Sequence, residues 1–156
     1  MHKLSFRQGT SADVPLLAEL NQQLQIDESH SRLMQLAELM PRMAEWLATG
    51  GYEAVIFERD GHVAGYALFR RERDPEHVYL KQFFVCRECR RQAIGREAMT
   101  WLSRHAWQDV PAVYLDVLVN NERGIAFWRA AGFRDYAITM EIRLANASSN
   151  FSGGAN

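Results

Sequence analysis

Residues 52–73 and residues 77–119 demand opposite kinds of strand pairing. The runs "YEAVIFERD" and "HVAGYALFRRER" are rich in β-branched and aromatic residues and meet at Asp60-Gly61. That dipeptide supplies the positive φ angles of a tight hairpin, so the two strands are antiparallel. "HVYLKQFFV" (77–85) is followed instead by a helical stretch and then by the apolar run "PAVYLDVLV" (111–119). Strands joined across a helix lie parallel. A chain with both connections forms a mixed sheet with helices packed on it, an α/β (α+β) architecture.

The flanking segments extend that order. "KLSFRQG" alternates Leu4 and Phe6 with polar neighbours and predicts a first strand. "TSADVPLLAEL" opens a helix that Thr10 or Ser11 can cap, and it fades in the polar break "QIDESHS". A second helix is expected from Arg32 to about Ala48, with Leu33, Leu36, Leu39, Met40, Met43, Trp46 and Leu47 on its stripe and Pro41 as a place to kink or split. In "HVYLKQFFV" the consecutive Phe83, Phe84 and Val85 predict a strand buried on both faces or carrying a bulge. The helix beginning near Ala93 runs to about Trp107. "NERGIAFWRAA" is a short helix that Asn121 can cap, stopped by Gly132 with Phe133 as the apolar follower. "FRDYAITMEIRL" (133–144) alternates Tyr136, Ile138, Met140, Ile142 and Leu144 and predicts a final strand, which could pair with a second copy to give a homodimer. One domain is expected over 1–145, followed by a Ser/Gly/Asn-rich tail, 146–156, expected to be disordered.

Bulk properties narrow the function. A chain of 156 residues can bury a proper core, and 47% hydrophobic with 24% charged residues is ordinary for a globular protein. A net charge of -1 lacks the basic excess of a nucleic-acid binder. No apolar run is long enough to cross a membrane, and "MHKLSFRQGT" has no signal core, so a cytoplasmic protein is expected. Cys86 and Cys89 in "CREC" have no second pair, and His77 and His105 lack ligand spacing, so no metal is expected.

The chemistry concentrates at "RRQAIGREAM" (90–99). A strand feeds a helix there directly. The first helical turn leaves backbone N–H groups unpaired at the positive end of the helix dipole, which suits a phosphate. Arg90, Arg91 and Arg96 surround the turn and Gly95 allows close approach. It is neither a P-loop nor a dinucleotide fingerprint, and taken alone it reads sooner as the start of an ordinary helix than as a phosphate site. Ala93 is compatible with the turn if its backbone is right-handed helical.

The order of motifs adds what this stretch lacks. The run "VYLKQFFVCRECRRQAIGREAMTWL … VYLDVLVNNERGIAFWRAAGFRDY" resembles the GNAT superfamily of acyl-CoA-dependent N-acetyltransferases. The resemblance implies the GNAT fold: a mixed, mostly antiparallel sheet splayed between strands 4 and 5, flanked by about four helices. It implies acetyl-CoA as co-substrate, its pyrophosphate held by the turn Gln/Arg-x-x-Gly-x-Gly/Ala. Here that pattern is Arg90-Arg91-Gln92-Ala93-Ile94-Gly95, with Ala93 in place of the first glycine. Carried over residue by residue, main-chain groups of Phe84 and Val85 meet the pantetheine arm. Amides of Arg91, Gln92, Ala93, Gly95 and Arg96 face the pyrophosphate. Asn121 bonds the pantetheine side or caps its helix, and Phe127 and Trp128 line the cofactor. Trp128 stands where many members have a Tyr that protonates the departing thiolate. An indole N–H donates a hydrogen bond but does not give up its proton readily, so Trp128 is read as a wall of the acyl pocket.

The reading that follows is an N-acetyltransferase in which a primary amine, of a small molecule or of a peptide or protein, attacks acetyl-CoA directly. The N–H near Val85 would stabilise the oxyanion. Candidate bases are Glu28 and His30 of the polar break, with Glu76, His77, Lys81 and Gln82 as further candidates and Asp116 as an orienting group. The alternatives are a CoA-binding regulatory protein without turnover and an α/β interaction module built on the arginine cluster.

Overall fold

The computed structural model describes residues 3–28 and 30–145. The expected tail, 146–156, lies outside the described residues. The chain divides into two compact units, 1–116 and 117–156.

The first unit holds a five-stranded sheet in the order β1 (Leu4–Gln8), β2 (Tyr52–Arg59), β3 (His62–Arg73), β4 (Glu76–Val85) and β5 (Val113–Tyr114). The first three pairings are antiparallel and β4–β5 is parallel. Asp60 (φ 52°) and Gly61 (φ 79°) make the predicted hairpin turn. The parallel pairing joins only Val78 to Val113 and Tyr79 to Tyr114. Beyond Tyr79 the two chains part, so the sheet is mixed, mostly antiparallel and splayed between its fourth and fifth strands. The expected strand 111–119 is correspondingly shortened to two residues, because a strand persists only while a neighbour takes its hydrogen bonds.

Helix α1 (Val14–Asp27) follows a 3-10 turn, Ser11–Asp13. The Asp13 carboxylate accepts the Thr10 N–H at 2.8 Å, which fixes the entry, and Pro15 sits in the first turn where no N–H is needed. Helix α2 (Leu36–Ala48) starts later than the predicted Arg32. Gln35 and Glu38 form a reciprocal cap there, with Gln35 N–H on the Glu38 carboxylate at 3.1 Å. Leu33 consequently lies outside the helix and is exposed. The helix runs through Pro41 without a break. Helix α3 (Ile94–Trp101) continues as a π-helical stretch, Leu102–Ala106.

Leu17, Leu20 and Leu24 of α1 and Met43 of α2 pack on Ala54, Ile56, Tyr66, Leu68 and Phe84 of the sheet. Ile94, Ala98 and Leu102 are buried along α3. Phe6 stacks on Trp101 with centroids 4.4 Å apart, tying β1 to α3. Burying such large apolar side chains contributes about 1.5–3 kcal/mol each.

Strand β4 carries a bulge, but not at Phe83–Val85. Leu68 faces Gln82 and Phe69 faces Leu80, so Lys81 is the extra residue. After it Gln82 and Phe84 are buried while Phe83 and Val85 are half-buried. The strand alternates there and is not buried on both faces. The close β3–β4 approach at its end needs Gly65, where a Cβ would lie 2.1 Å from the Phe84 carbonyl oxygen.

The second unit contains α4 (Glu122–Ala130). The Asn121 Oδ1 accepts the Gly124 N–H at 3.0 Å, as expected of its cap, and a Cβ at Gly124 would crowd that amide. The far end is a complete Schellman motif. Phe133 N–H reaches Trp128 O at 3.0 Å, Gly132 N–H reaches Arg129 O at 3.1 Å, and Gly132 takes φ 103°. The Trp128 and Phe133 rings meet edge to face at 5.3 Å, supplying the apolar contact of that motif. The predicted strand over 133–144 is not formed. Ile138, Met140, Ile142 and Leu144 are exposed, between 65% and 84%. The period-2 pattern is present, but the described residues of this unit contain no strand to pair with it.

Candidate active site

The open side of β4 is the first component. Cys86 N–H donates to Ala64 O of β3 at 2.8 Å. Peptide groups alternate direction along a strand, so the Val85 carbonyl in that same peptide points away from β3. The Val85 N–H points the same way, and both face the side that β5 has left. Phe84 is the opposite case, since its carbonyl lies against Gly65 of β3. Of the two residues expected to present main-chain groups, Val85 does so through both its N–H and its C=O.

The second component is the turn after β4. A 3-10 turn, Arg87–Cys89, leads to Arg90–Ala93 and α3. Arg91 (φ 61°) and Ala93 (φ 60°, ψ 16°) are both left-handed. The right-handed backbone expected for Ala93 is therefore wrong. A non-glycine residue in this region costs about 1–2 kcal/mol. The first helical bond runs from Glu97 N–H to Ala93 O at 3.0 Å. The N–H groups of Ile94, Gly95 and Arg96 precede it and point out of the helix end, where the dipole favours an anion. Arg91 and Arg96 are exposed beside them. Gln92 is spent on structure, as its amide bridges the Arg59 guanidinium and the Glu88 carbonyl.

Two arginines of this region are held by a residue the sequence reading did not single out. Asp27, the last residue of α1, accepts from Arg87 at 2.7 and 3.0 Å and from Arg90. Arg90 Nε also donates to Val85 O at 3.1 Å, and its guanidinium lies 5.7 Å from the Phe84 ring centre. Burial alone would raise the Asp27 carboxyl, but the hydrogen bonds from Arg90 and Arg87 outweigh it and hold it below the ordinary value. These contacts join α1 to the turn across some sixty residues of sequence, a separation at which no local pattern could announce them.

The third component lies just beyond Asp27. Glu28 and His30 touch, with His30 Nε2 2.9 Å from Glu28 Oε2. Both keep partial solvent access. Glu28 is near enough to the buried Tyr66 for its charge to add to burial in pushing that phenol up. Tyr66 donates to Gln82 Oε1 of β4 at 2.7 Å. The structure thus brings Glu28, His30 and Gln82 into one region, on the side of the sheet that α1 covers. Glu76 and His77 lie at the far end of β4, where His77 Nδ1 is 2.7 Å from Pro75 O.

The fourth component surrounds Lys81. Its ammonium lies 4.9 Å from the Trp46 ring centre and 5.6 Å from that of Tyr52. Arg70 covers the Tyr52 ring at 4.8 Å and Arg42 approaches Trp46 at 5.9 Å. Burial first, then repulsion from Arg70 and Arg42, lowers the Lys81 amine from its ordinary value. Tyr79 donates to Asp116 Oδ2 at 2.8 Å, and burial together with that bond keeps its hydroxyl protonated. Cys86 is buried and its thiol is pushed up to about 11, chiefly by burial, which argues against a thiolate nucleophile.

In the second unit, Asn121 caps α4, and Phe127 packs edge to face on Trp128 at 4.8 Å.

Comparison with solved structures returns the same architecture. A possible acetyltransferase from Clostridium difficile 630 superposes with a TM-score of 0.76 at 15% identity, covering 90% of this chain and 97% of that one. An aminoglycoside N-acetyltransferase solved with CoA gives 0.74 at 16% identity, covering 93% and 97%. A predicted acetyltransferase from Clostridium acetobutylicum, solved with acetyl-CoA, gives 0.73 at 16%, covering 90% and 96%. Identities this low establish the fold. No curated protein matches the sequence significantly. The sequence model of the acetyltransferase (GNAT) family, however, matches residues 18–133, from within α1 through the Schellman end of α4. Strands β2 to β5, with the turn and helix that follow β4, fall within that match, and the chain belongs to the acetyltransferase (GNAT) family.

Proposed function

We propose that this chain is an N-acetyltransferase that moves an acetyl group from acetyl-CoA to a primary amine by direct attack. The observation that carries the reading is the continuity of β4 with the turn after it. Val85 turns its N–H and C=O to the open side of the strand, and the unpaired N–H groups of Ile94, Gly95 and Arg96 follow one turn later. An extended chain that needs amide partners and ends in a pyrophosphate matches that sequence of donors and acceptors. Solved relatives of the fold that hold CoA or acetyl-CoA support the same assignment.

The Val85 N–H would bind the thioester carbonyl oxygen and its developing negative charge. Glu28, with His30 beside it, would take the proton of the acceptor ammonium directly or through a water. The free amine forms the C–N bond, the C–S bond breaks, and the amine's second proton leaves to solvent. The CoA thiolate is protonated from water, because the indole of Trp128 is no acid near neutral pH. Residues 1–145 would form the acetyltransferase domain.

The test is thiol release from acetyl-CoA across a panel of small amines, amino acids and peptides. Amine-dependent release that falls at least tenfold in Glu28→Gln is expected. Tight acetyl-CoA binding with no release from any amine would instead make the chain a CoA-binding regulator.

A further inference from the structure

The acceptor's own chemistry is written on the wall around Lys81. Tyr52 of β2, Arg70 of β3 and Tyr79 of β4 stand directly opposite one another across the sheet. Lys81, two residues beyond Tyr79, falls on the same face of β4, its ammonium 5.6 Å from the Tyr52 ring centre. Arg42 and Trp46 reach it from α2. The charged groups facing Lys81 are Arg70, Arg42 and Asp116. Glu72 is taken by Arg70, with Nε at 2.6 Å, and Asp116 accepts from Tyr79 at 2.8 Å. Among the described residues, no carboxylate forms an ion pair with Lys81 or Arg42. A half-buried ammonium beside two guanidiniums is costly unless something negative completes it. The faces of Trp46 and Tyr52 offset part of that cost by cation–π contact but bring no charge.

We propose that Lys81, Arg42 and Arg70 bind an anionic group on the acceptor, so that the preferred substrate is an amine carrying a carboxylate or phosphate. This rests on the acetyltransferase reading above. Lys81 lies four residues before Val85 on β4, about 13 Å along an extended strand. The anionic group therefore sits several bonds from the reacting amine, as at the far end of a short peptide or a long aminoalkyl phosphate. The same wall disfavours polycationic acceptors such as aminoglycosides by like-charge repulsion. Trp46, only partly buried at the edge of the core, gives the acceptor's apolar body a surface to lie on.

The experiment compares matched pairs of amines: a tripeptide with its C-terminal amide, and a long aminoalkyl phosphate with the parent amino alcohol. Calorimetric binding and thiol release are both measured, on wild type, Lys81→Met, Arg42→Gln and Lys81→Arg. The anionic member of at least one pair is expected to bind tenfold or more tightly, and which pair responds identifies carboxylate or phosphate. The preference should shrink in high salt, fall below about threefold in Lys81→Met and Arg42→Gln through KM, and return in Lys81→Arg. Equal binding of both members of each pair, or a preference for polycations, overturns the proposal. Thiol release without anion preference leaves the acetyltransferase reading standing and removes this one. Anion preference without thiol release from any amine does the reverse.

Discussion

Ala93 shows why a glycine is common at the third position after the arginine of such a turn. Its backbone is at φ 60°, ψ 16°, where a Cβ crowds the following carbonyl. The alanine is tolerated because it is exposed, so its Cβ needs no room in the core. It is nevertheless strained, and Arg91 two residues earlier is strained in the same way. Ala93→Gly removes the Cβ penalty at a modest cost in unfolded-state entropy, so it should raise stability by about 1 kcal/mol. Thermal unfolding of the two proteins checks this, and an unchanged or lowered Tm would mean the turn is relaxed as it stands. Nothing in the sequence could have announced the strain, since alanine carries no signal for positive φ. Trp128 is the opposite case. Gly132 with Phe133 as its apolar follower predicts the stop of its helix, and the ring that Phe133 meets there is that of Trp128. That contact gives Trp128 a structural reason to be aromatic that is independent of any role as an acid.

At the scale of elements, the end of α1 and the turn after β4 behave as one piece because Asp27 holds Arg87 and Arg90. Arg90 in turn sits on the Val85 carbonyl, so the geometry of the open edge depends on a carboxylate from another element. The Asp27 carboxyl titrates below its ordinary value when folded and near 3.9 when unfolded. Its contribution to stability is therefore present above about pH 4 and is lost as pH falls through the folded value. Asp27→Asn should lower Tm by several degrees at pH 7, and the gap to wild type should close as pH falls below the ordinary carboxylate range. A gap that stays constant across that range would show that the pair contributes no charge-dependent stability. Secondary structure was legible wherever one local rule governed it. The Asp60-Gly61 hairpin, the Asn121 cap and the Gly132 stop are such cases. The bulge was not, because "KQFFV" fits either register until β3 selects one, and the slip falls at Lys81. The start of α2 was misplaced because Leu33 continues the apolar stripe while the Gln35–Glu38 cap decides the boundary. Residues 133–144 have the alternation of a strand, but alternation supplies no partner.

At the scale of the molecule, motif order carried more than any motif. The turn at residues 90–96 was ambiguous alone, and only its place between a buried strand and a helix ending in "GF" gave the family, which the match over residues 18–133 establishes. The site beyond the turn was only partly legible. Glu28 and His30 were candidates because they lie in a polar break, and the fold does bring them together beside Gln82. The Asp27–Arg90 link and the aromatic–cationic wall were invisible, since the first joins residues some sixty positions apart and the second assembles residues of α2, β2, β3 and β4. The central claim is that acetyl-CoA lies along the open edge of β4 and ends at the α3 N-terminus. Amide NMR during an acetyl-CoA titration tests it most directly. The largest shifts are expected at the N–H groups of Val85, Ile94, Gly95 and Arg96, with saturation in the micromolar range. Saturable binding that leaves those four amides unmoved, or no binding at all, would contradict the account.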